Sequence, residues 1–307
     1  MAGPSFRAAP ARIRVPATSA NLGPGFDALG LALGLYDDVV VRIGDSGLLV
    51  DVAGEGADDV PRDRRHLVVR AVRATFDALG GQPRGLEVVC ANRIPHGRGL
   101  GSSAAAIVAG VLGAGELVLG GLPDGLALTL AAELEGHPDN VAACLLGGLT
   151  IAWHDDATGA PAATRLAPHP SLAPALFVPT SRSSTAKARR MLPETVPHAD
   201  AARSVGRAAL LVEALTRRPE LLLPATDDVL HQPYRAEAMP RAAALVATLR
   251  AAGVPAVISG AGPAVLALPA PGDPAHDKAL GAVSTARWTL LRLPVDTAGA
   301  AAIPLTS

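Results

Sequence analysis

Alternating and β-branched segments mark the first strands of the chain. Polar and apolar residues alternate at residues 12–15, and β-branched residues recur at residues 39–43 and 85–90. Both patterns are typical of strands. Between the second and third of these strands, apolar residues recur at helical spacing over residues 67–79 and stop at a Gly-Gly pair. This spacing predicts a helix at the surface of the fold.

A strongly apolar helix is predicted directly after Gly101. Residues 102–112 are apolar on every face, which is typical of a helix buried in the middle of its domain. Two further helices are predicted at residues 125–135 and 138–146, and a strand follows at residues 149–153. The first half of the chain is therefore expected to combine a sheet with buried helices.

The segment of residues 155–174 is the best candidate for a domain boundary. It is rich in Ala, Pro, Gly and Thr and has no sustained period. Beyond it, predicted strands alternate with predicted helices; the strands lie at residues 176–178, 256–259, 265–268 and 288–293, and the helices at 201–215 and 241–252. The pattern predicts an α+β fold of two domains, residues 1–165 and 166–307, that pack across one cleft.

Composition narrows the class of protein. The chain has 307 residues, with 27 Lys and Arg against 28 Asp and Glu. This balance removes the usual electrostatic basis for binding nucleic acid or an anionic membrane. Hydrophobic residues make up 49%, enough for a real core, whereas 3% aromatic residues exclude stacking as the main mode of ligand binding. Two isolated cysteines, with no recognised signal peptide or membrane span, predict a soluble cytoplasmic protein.

The strongest local signal is a glycine-rich loop, IPHGRGLGSS, at residues 94–103. It lies between a predicted strand and the buried helix. Glycines let a backbone approach a polyanion, and the N–H groups of a helix N-terminus attract negative charge. The loop predicts a phosphate cradle, with a tight packing turn as the alternative. It is neither a Walker A loop, because Gly-Lys-Ser/Thr is missing, nor a dinucleotide fingerprint, because the third glycine would fall on Ser102.

Two further stretches combine glycine with small polar residues. PATSANLGPGFD, from Pro16, follows the first strand and contains Asn21 and Asp27. These side chains could read polar groups of a ligand, and a surface loop is the alternative. SGAGP, from Ser259, lies between two apolar strands and by itself favours a hairpin turn over a site.

Together with three other motifs in order, these stretches make the chain similar to the GHMP family of small-molecule kinases. The resemblance covers about residues 13–293 and rests on PATSANLGPGFDALGLAL from Pro16, IPHGRGLGSSAAA from Ile94, EGHPDN from Glu135, STAKARRMLP from Ser184, HQPYR from His231 and ISGAGP from Ile258. It implies an N-terminal ribosomal-S5-like α+β domain and a C-terminal ferredoxin-like α+β domain, with the active site in the cleft between them.

The resemblance implies that the glycine-rich loop wraps the phosphates of ATP. The residues it assigns to ATP are Pro95, His96, Gly97, Arg98, Gly99, Leu100, Gly101, Ser102 and Ser103, together with His66 near the base. His66 stands where many relatives have Asn, and an imidazole can still stack on or hydrogen-bond to a purine. Ser102 and Glu133 would hold Mg²⁺ through hard oxygen ligands, with Glu135 as the alternative carboxylate.

Within the family, the motifs are most similar to those of members that phosphorylate the hydroxyl of L-homoserine to give O-phospho-L-homoserine, the precursor of threonine. The residues this implies for substrate binding are Asn21, Asp27, His137, Asn140, Thr185, Arg189, Arg235 and Gly260. Asn21 and Asp27 would face the amino-acid end and His137 and Asn140 the hydroxyl. The two arginines would bind the carboxylate, because a guanidinium presents a planar fork to it.

Asn140, Arg189 and His137 are the catalytic residues that the resemblance implies. Several GHMP kinases carry an aspartate, taken as the base, where this chain has Asn140, and an amide cannot accept that proton at neutral pH. Catalysis would then rest on positioning and on stabilising the charge of a loose phosphoryl transition state. Another GHMP kinase, of mevalonate for example, and a non-catalytic binding protein are the alternatives. The resemblance also implies a homodimer.

Overall fold

The structure is a computed structural model that describes residues 4–181, 189–283 and 285–304. Its first sheet contains β1 (Ala11–Ala20), β2 (Leu29–Gly44), β3 (Gly47–Gly54), β4 (Gly85–Asn92), β5 (Leu149–His154), β6 (Pro161–Leu166) and, from the end of the chain, β11 (Ala301–Ala302). The strand order is β11-β1-β2-β4-β3, and β5 pairs with β2 and β6. The strands predicted at residues 12–15, 39–43, 85–90 and 149–153 are confirmed.

The described helices of this half are α1 (Leu67–Ala78), α2 (Ser102–Leu117), α3 (Leu126–Glu135) and α4 (Asp139–Leu146). The helices α2, α3 and α4 pack on the strands, and α1 packs on α2. The prediction of a buried central helix is confirmed, because α2 buries residues on all its faces. Gly110 of α2 lets α1 approach closely, since a Cβ there would lie 2.6 Å from the Cβ of Ala71. This packing fixes α2, and with it the glycine-rich loop that precedes it.

The second sheet has the strand order β10-β7-β9-β8, with every neighbouring pair antiparallel. Its strands are β7 (Ala175–Pro179), β8 (Ala256–Ile258), β9 (Val265–Ala267) and β10 (Trp288–Arg292). The α-helices described in this half are α5 (His198–Thr216), α6 (Leu222–Ala225), α7 (Gln232–Arg235), α8 (Pro240–Ala251) and α9 (Pro274–Gly281). The α+β fold and the strands and helices predicted for this half are confirmed.

The segment predicted as a boundary contains a strand. Residues 161–166 form β6, which pairs antiparallel with β5, so the first sheet continues to Leu166. β6 has mostly small residues and no apolar alternation, which hid it from the pattern. The chain also returns to the first sheet after β10, because β11 pairs with β1. The division after residue 165 stays a prediction.

Among the described residues, no helix is long and apolar enough to cross a membrane.

Candidate active site

The three glycine-bearing segments meet around one cavity. The loop after β1 and the loop between β8 and β9 are joined by a hydrogen bond from the Gly260 N–H to the Ala20 carbonyl (3.1 Å), and the Ala264 N–H donates to the Arg98 carbonyl (3.0 Å). The cavity, of about 120 Å³, is lined by Asn21, Asp27, Gly97, Gly99, Gly101, Ser102, Ser103, Glu135, His137, Asp139, Asn140, Arg189, Arg235, Gly260, Ala261 and Gly262. All predicted substrate-binding residues line it except Thr185, which lies outside the described residues.

Two positions of the glycine-rich loop require glycine. Gly101 has φ +70° directly before α2, and a Cβ there would lie 1.9 Å from Thr18 Oγ1. Gly99 has φ +84°, and its Cβ would lie 2.1 Å from the Ser259 carbonyl oxygen. No described side chain caps α2, and its first turn carries no acidic residue. The N-terminus of α2 therefore keeps N–H donors available for an anion.

Arg98 ties the loop to the second sheet instead of facing the cavity. Its guanidinium donates to the carbonyls of Pro179 (2.8 Å), His96 (3.0 Å) and Thr180 (3.1 Å). The loop is thus braced by its own arginine, while its glycine backbone forms the wall of the cavity.

Of the two carboxylates considered for the metal, Glu135 lies at the loop and Glu133 does not line the cavity. Glu133 is exposed on α3, whereas Glu135 lines the cavity and accepts a hydrogen bond from Ser103 Oγ at 2.5 Å. Side chains two positions apart on a helix are separated by a rotation of about 200° around its axis. Glu133 and Glu135 therefore cannot both face the loop. Burial raises the pKa of Glu135. A half-desolvated carboxylate beside the hydroxyls of Ser102 and Ser103 is an all-oxygen donor set that fits Mg²⁺.

Asn21 joins two segments of the cavity wall, near Asp27 and Gly260. It has φ +68°, and its Nδ2 donates to the Gly260 carbonyl (3.0 Å) while its Oδ1 accepts from the Asp27 N–H (3.0 Å). Both ends of the amide are therefore engaged by the protein. Asp27, itself at φ +54°, is held in an unusual backbone conformation by this bond.

Charged groups of both signs meet at this end of the cavity. Arg189 binds Asp27 through two parallel hydrogen bonds, from Nη1 to Oδ2 and from Nη2 to Oδ1, each 2.8 Å. This pairing raises the pKa of Arg189. Arg235 is 2% exposed and lies over the ring of Phe26 at 5.2 Å. Two guanidinium groups and one carboxylate complement a small ligand that carries both charges.

Polar side chains of the EGHPDN segment also line the cavity. Thr18 Oγ1 donates to Asn140 Oδ1 (2.8 Å), and Asn140 Nδ2 lies 3.3 Å from Asp139 Oδ1. His137 Nδ1 lies 2.8 Å from the same oxygen, and this hydrogen bond raises the pKa of His137. Sequence reasoning missed Thr18 and Asp139. Asp139 is adjacent to Asn140 in the motif, but nothing local marks the contact with Thr18.

A second cavity, of about 250 Å³, adjoins the first at Ser102 and Ser103, which line both. Its other walls include apolar side chains of β1, β2 and α1 and the imidazoles of His66 and His96. His66 is 5% exposed, and its Nδ1 has no hydrogen-bond partner among the described residues. Burial and the neighbouring His96 lower the pKa of His66. A neutral ring with an unused nitrogen therefore faces a mainly apolar cavity next to the loop.

Asp37, in the wall of the second cavity, provides a prediction about stability. Burial raises its pKa to about 6, although its Oδ1 accepts hydrogen bonds from the N–H groups of Arg93 (2.6 Å) and Ile94 (2.9 Å). A carboxyl with a raised pKa in the folded state contributes stability at pH values below its pKa in the unfolded chain. That contribution is lost as the pH rises through the folded-state pKa of about 6. We therefore expect Asp37→Asn, which keeps an acceptor oxygen, to increase the free energy of unfolding at about pH 7.5 by about 2 kcal/mol.

Urea denaturation at about pH 5 and pH 7.5 checks this expectation, with the exposed Asp156 changed to Asn as the control. The gain should be larger at the higher pH. A lower stability of Asp37→Asn at pH 7.5 would contradict the assigned cause of the shift.

Known proteins are similar to this chain in both sequence and structure. The chain matches the family models described as GHMP kinases N terminal domain, over residues 66–148, and GHMP kinases C terminal, over residues 201–284. Homoserine kinase of Streptomyces avermitilis is 62% identical over 100% of both chains. Homoserine kinase of Clavibacter michiganensis is 54% identical over 94% of this chain and 92% of the relative. The crystal structure of homoserine kinase from Cytophaga hutchinsonii superposes with a TM-score of 0.83 at 27% identity, covering 99% of this chain and 100% of that one.

Proposed function

This chain belongs to the homoserine kinases of the GHMP kinase family, and from that premise we propose that it transfers the γ-phosphoryl group of ATP to the hydroxyl of L-homoserine. The observation that carries the proposal is a single cavity that joins a glycine-rich loop and the N-terminus of α2 to the cluster of Asp27, Arg189 and Arg235. The product is O-phospho-L-homoserine, a precursor of threonine.

The nucleotide occupies the two adjoining cavities. Backbone N–H groups of the loop and of the first turn of α2 bind the phosphates, because the N–H groups of a helix N-terminus attract an anion. No acidic residue in that turn competes with the phosphates. The base enters the mainly apolar cavity lined by His66, whose unpartnered Nδ1 can hydrogen-bond to a purine edge.

Ser102 and Glu135 are the residues that would hold Mg²⁺ beside the phosphates. The ion supplies charge neutralisation to the phosphate oxygens of ATP. Ser103 orients Glu135 through the hydrogen bond from its hydroxyl. Glu133, exposed on α3, has no place in this arrangement.

The zwitterionic end of L-homoserine lies at the charged cluster. Its ammonium group binds Asp27, and its carboxylate binds Arg189 and the buried Arg235. In the structure Asp27 and Arg189 bind each other, so the substrate replaces an existing ion pair with two new ones. A ligand that breaks this ion pair but lacks either charge would leave one of these groups unpaired, which is costly in a partly buried site. This need for both charges favours homoserine over mevalonate.

Asn140 orients the hydroxyl of the substrate instead of deprotonating it. Because its Oδ1 already accepts from Thr18, Nδ2 is the end that donates to the hydroxyl oxygen. The hydroxyl proton is then directed towards the phosphoryl group or solvent, and the transfer needs no protein base at this position. His137, held by Asp139, forms the neighbouring wall.

We expect Asn140→Ala to lower kcat by about 10²-fold, because a misplaced hydroxyl loses the in-line geometry for attack. KM for ATP should change little, since the phosphate loop does not depend on this amide. Asn140→Asp is the matched variant and should not exceed the wild-type kcat. Full kcat in Asn140→Ala would contradict the role given to Asn140.

The substrate is tested by ADP release with Mg-ATP against L-homoserine, D-homoserine, L-serine, L-threonine and mevalonate. A strong preference for L-homoserine is expected. Turnover with mevalonate in its place would contradict the assignment of the charged cluster, and ATP binding without turnover of any alcohol would favour a binding protein. The homodimer and the cytoplasmic location stay predictions.

A further inference from the structure

His231 is a buried polar group in the HQPYR segment that the reaction described above does not use. Its side chain is 0% exposed, and it immediately precedes α7. The imidazole stacks on the ring of Phe26, with the ring centroids 4.9 Å apart and the planes at 28°. Burying a polar ring costs free energy unless its nitrogens are hydrogen-bonded. The contacts of the two nitrogens therefore indicate what the residue does.

The Nε2 atom faces two acceptors. It lies 2.9 Å from the carbonyl oxygen of Gly23 and 3.3 Å from Oδ2 of Asp228. Neither acceptor can donate: one is a carbonyl oxygen, and Asp228 is a carboxylate that also accepts hydrogen bonds from the N–H groups of Leu230 and Gln232. The hydrogen of the neutral ring is thus on Nε2. Through it, His231 is attached to the loop of residues 21–27, which carries Asp27.

The Nδ1 atom then has a lone pair, and it lies 3.2 Å from Nη1 of Arg235. The guanidinium donates this hydrogen bond. Burial and the charge of Arg235 lower the pKa of His231, against the opposing effect of Asp228. A protonated ring would present an N–H to the guanidinium and break the contact. The same Phe26 ring that stacks on His231 lies beneath Arg235, so the three side chains form one packed unit.

We propose that His231 is a positioning residue, which holds the Arg235 guanidinium against the loop of residues 21–27 so that the groups for the substrate carboxylate and ammonium keep a fixed separation. This inference rests on the proposed function. His231 lines no part of the cavity and acts on the substrate through Arg235 and the loop.

His231→Phe is the first variant, because it keeps the ring and the stacking on Phe26 while it removes both hydrogen bonds. We expect KM for L-homoserine to rise about tenfold, which is the effect on binding expected from the loss of one buried hydrogen bond. The values of kcat and of KM for ATP should stay within about twofold. A merely structural role would instead lower the thermal stability without separating the two KM values.

His231→Asn and His231→Gln make the test independent of whether the Phe variant folds. The Oδ1 of Asn can take the place of Nδ1 and accept from Arg235, whereas the amide of Gln extends towards the place of Nε2 and Gly23. We expect a lower KM for L-homoserine in the Asn variant than in the Gln variant. A wild-type KM for L-homoserine in both variants would overturn the proposal.

A double-mutant cycle shows whether His231 acts through Arg235. In the Arg235→Ala background, His231→Phe should reduce kcat/KM little further, because coupled residues are not additive. Additive losses, or an unchanged KM for L-homoserine in His231→Phe, would overturn the inference about His231. The proposed function would still stand if the wild-type chain phosphorylates L-homoserine. A wild-type chain that does not phosphorylate L-homoserine would overturn both.

Discussion

Glu135→Gln is expected to lower kcat/KM for L-homoserine by about 10²–10³-fold, the size of effect seen when one charge-stabilising group is removed from an active site. Glutamine has the same shape as glutamate and can still accept the hydrogen bond from Ser103. The variant therefore removes the negative charge and little else. Because a neutral amide is a poor ligand for Mg²⁺, the Mg²⁺ concentration for half-maximal activity should also rise. Initial rates across a Mg²⁺ titration measure both effects.

Glu133→Gln is the matched control on the same helix. Glu133 is exposed and does not line the cavity, so the activity and the Mg²⁺ dependence of this variant should stay within about twofold of the wild type. The reverse result, with Glu133→Gln inactive and Glu135→Gln active, would contradict the site described here and restore the choice that the sequence favoured.

Gly101→Ala is expected to lower kcat/KM by at least about 10²-fold, because one methyl group displaces Thr18 and, through it, Asn140. The new Cβ would lie 1.9 Å from Thr18 Oγ1 and 3.2 Å from Asn140 Oδ1. Thr18 must move, and the bond that orients Asn140 is lost with it. The left-handed φ of +70° adds about 1–2 kcal/mol of backbone strain. Steady-state kinetics and the dissociation constant of ATP measure the outcome.

Gly80→Ala separates strain from collision. Gly80 has φ +96°, and a Cβ there would meet nothing within 4 Å. This variant should lose stability through strain and keep the activity of the wild type. Near-normal activity of Gly101→Ala, or an equal loss of activity in both variants, would contradict the role assigned to the close contact at Gly101.

Regular elements with a strong local pattern were predictable. The helix α2 is apolar on every face, and the structure buries it. In contrast, β3 was missed because it lies at one edge of the sheet, where β4 is its one partner among the described strands, and Leu49 on it is 58% exposed. Where an apolar side chain faces solvent, alternation no longer reports which face is buried.

For the candidate site, the sequence motifs predicted which segments meet at the cavity but not the individual contacts between their side chains. The choice between Glu133 and Glu135 depends on where α3 ends, and it ends at Glu135 with Gly136 at φ +89°. The bond between Thr18 and Asn140 spans 122 positions, and that between His231 and Gly23 spans 208. Packing of distant segments decides such contacts, and no local pattern reports it. Asn21, predicted to bind substrate, has both ends of its amide engaged by the protein for the same reason.

Identification of the product by ³¹P NMR, after turnover of Mg-ATP with L-homoserine, tests the central claim most directly. In the proposed orientation the substrate carboxylate binds Arg189 and Arg235 and the hydroxyl lies at Asn140, and all three residues line one cavity. We therefore expect one phosphomonoester on the side-chain oxygen, formed in equal amount with ADP. An acyl phosphate, or inorganic phosphate alone, would contradict this orientation of the substrate.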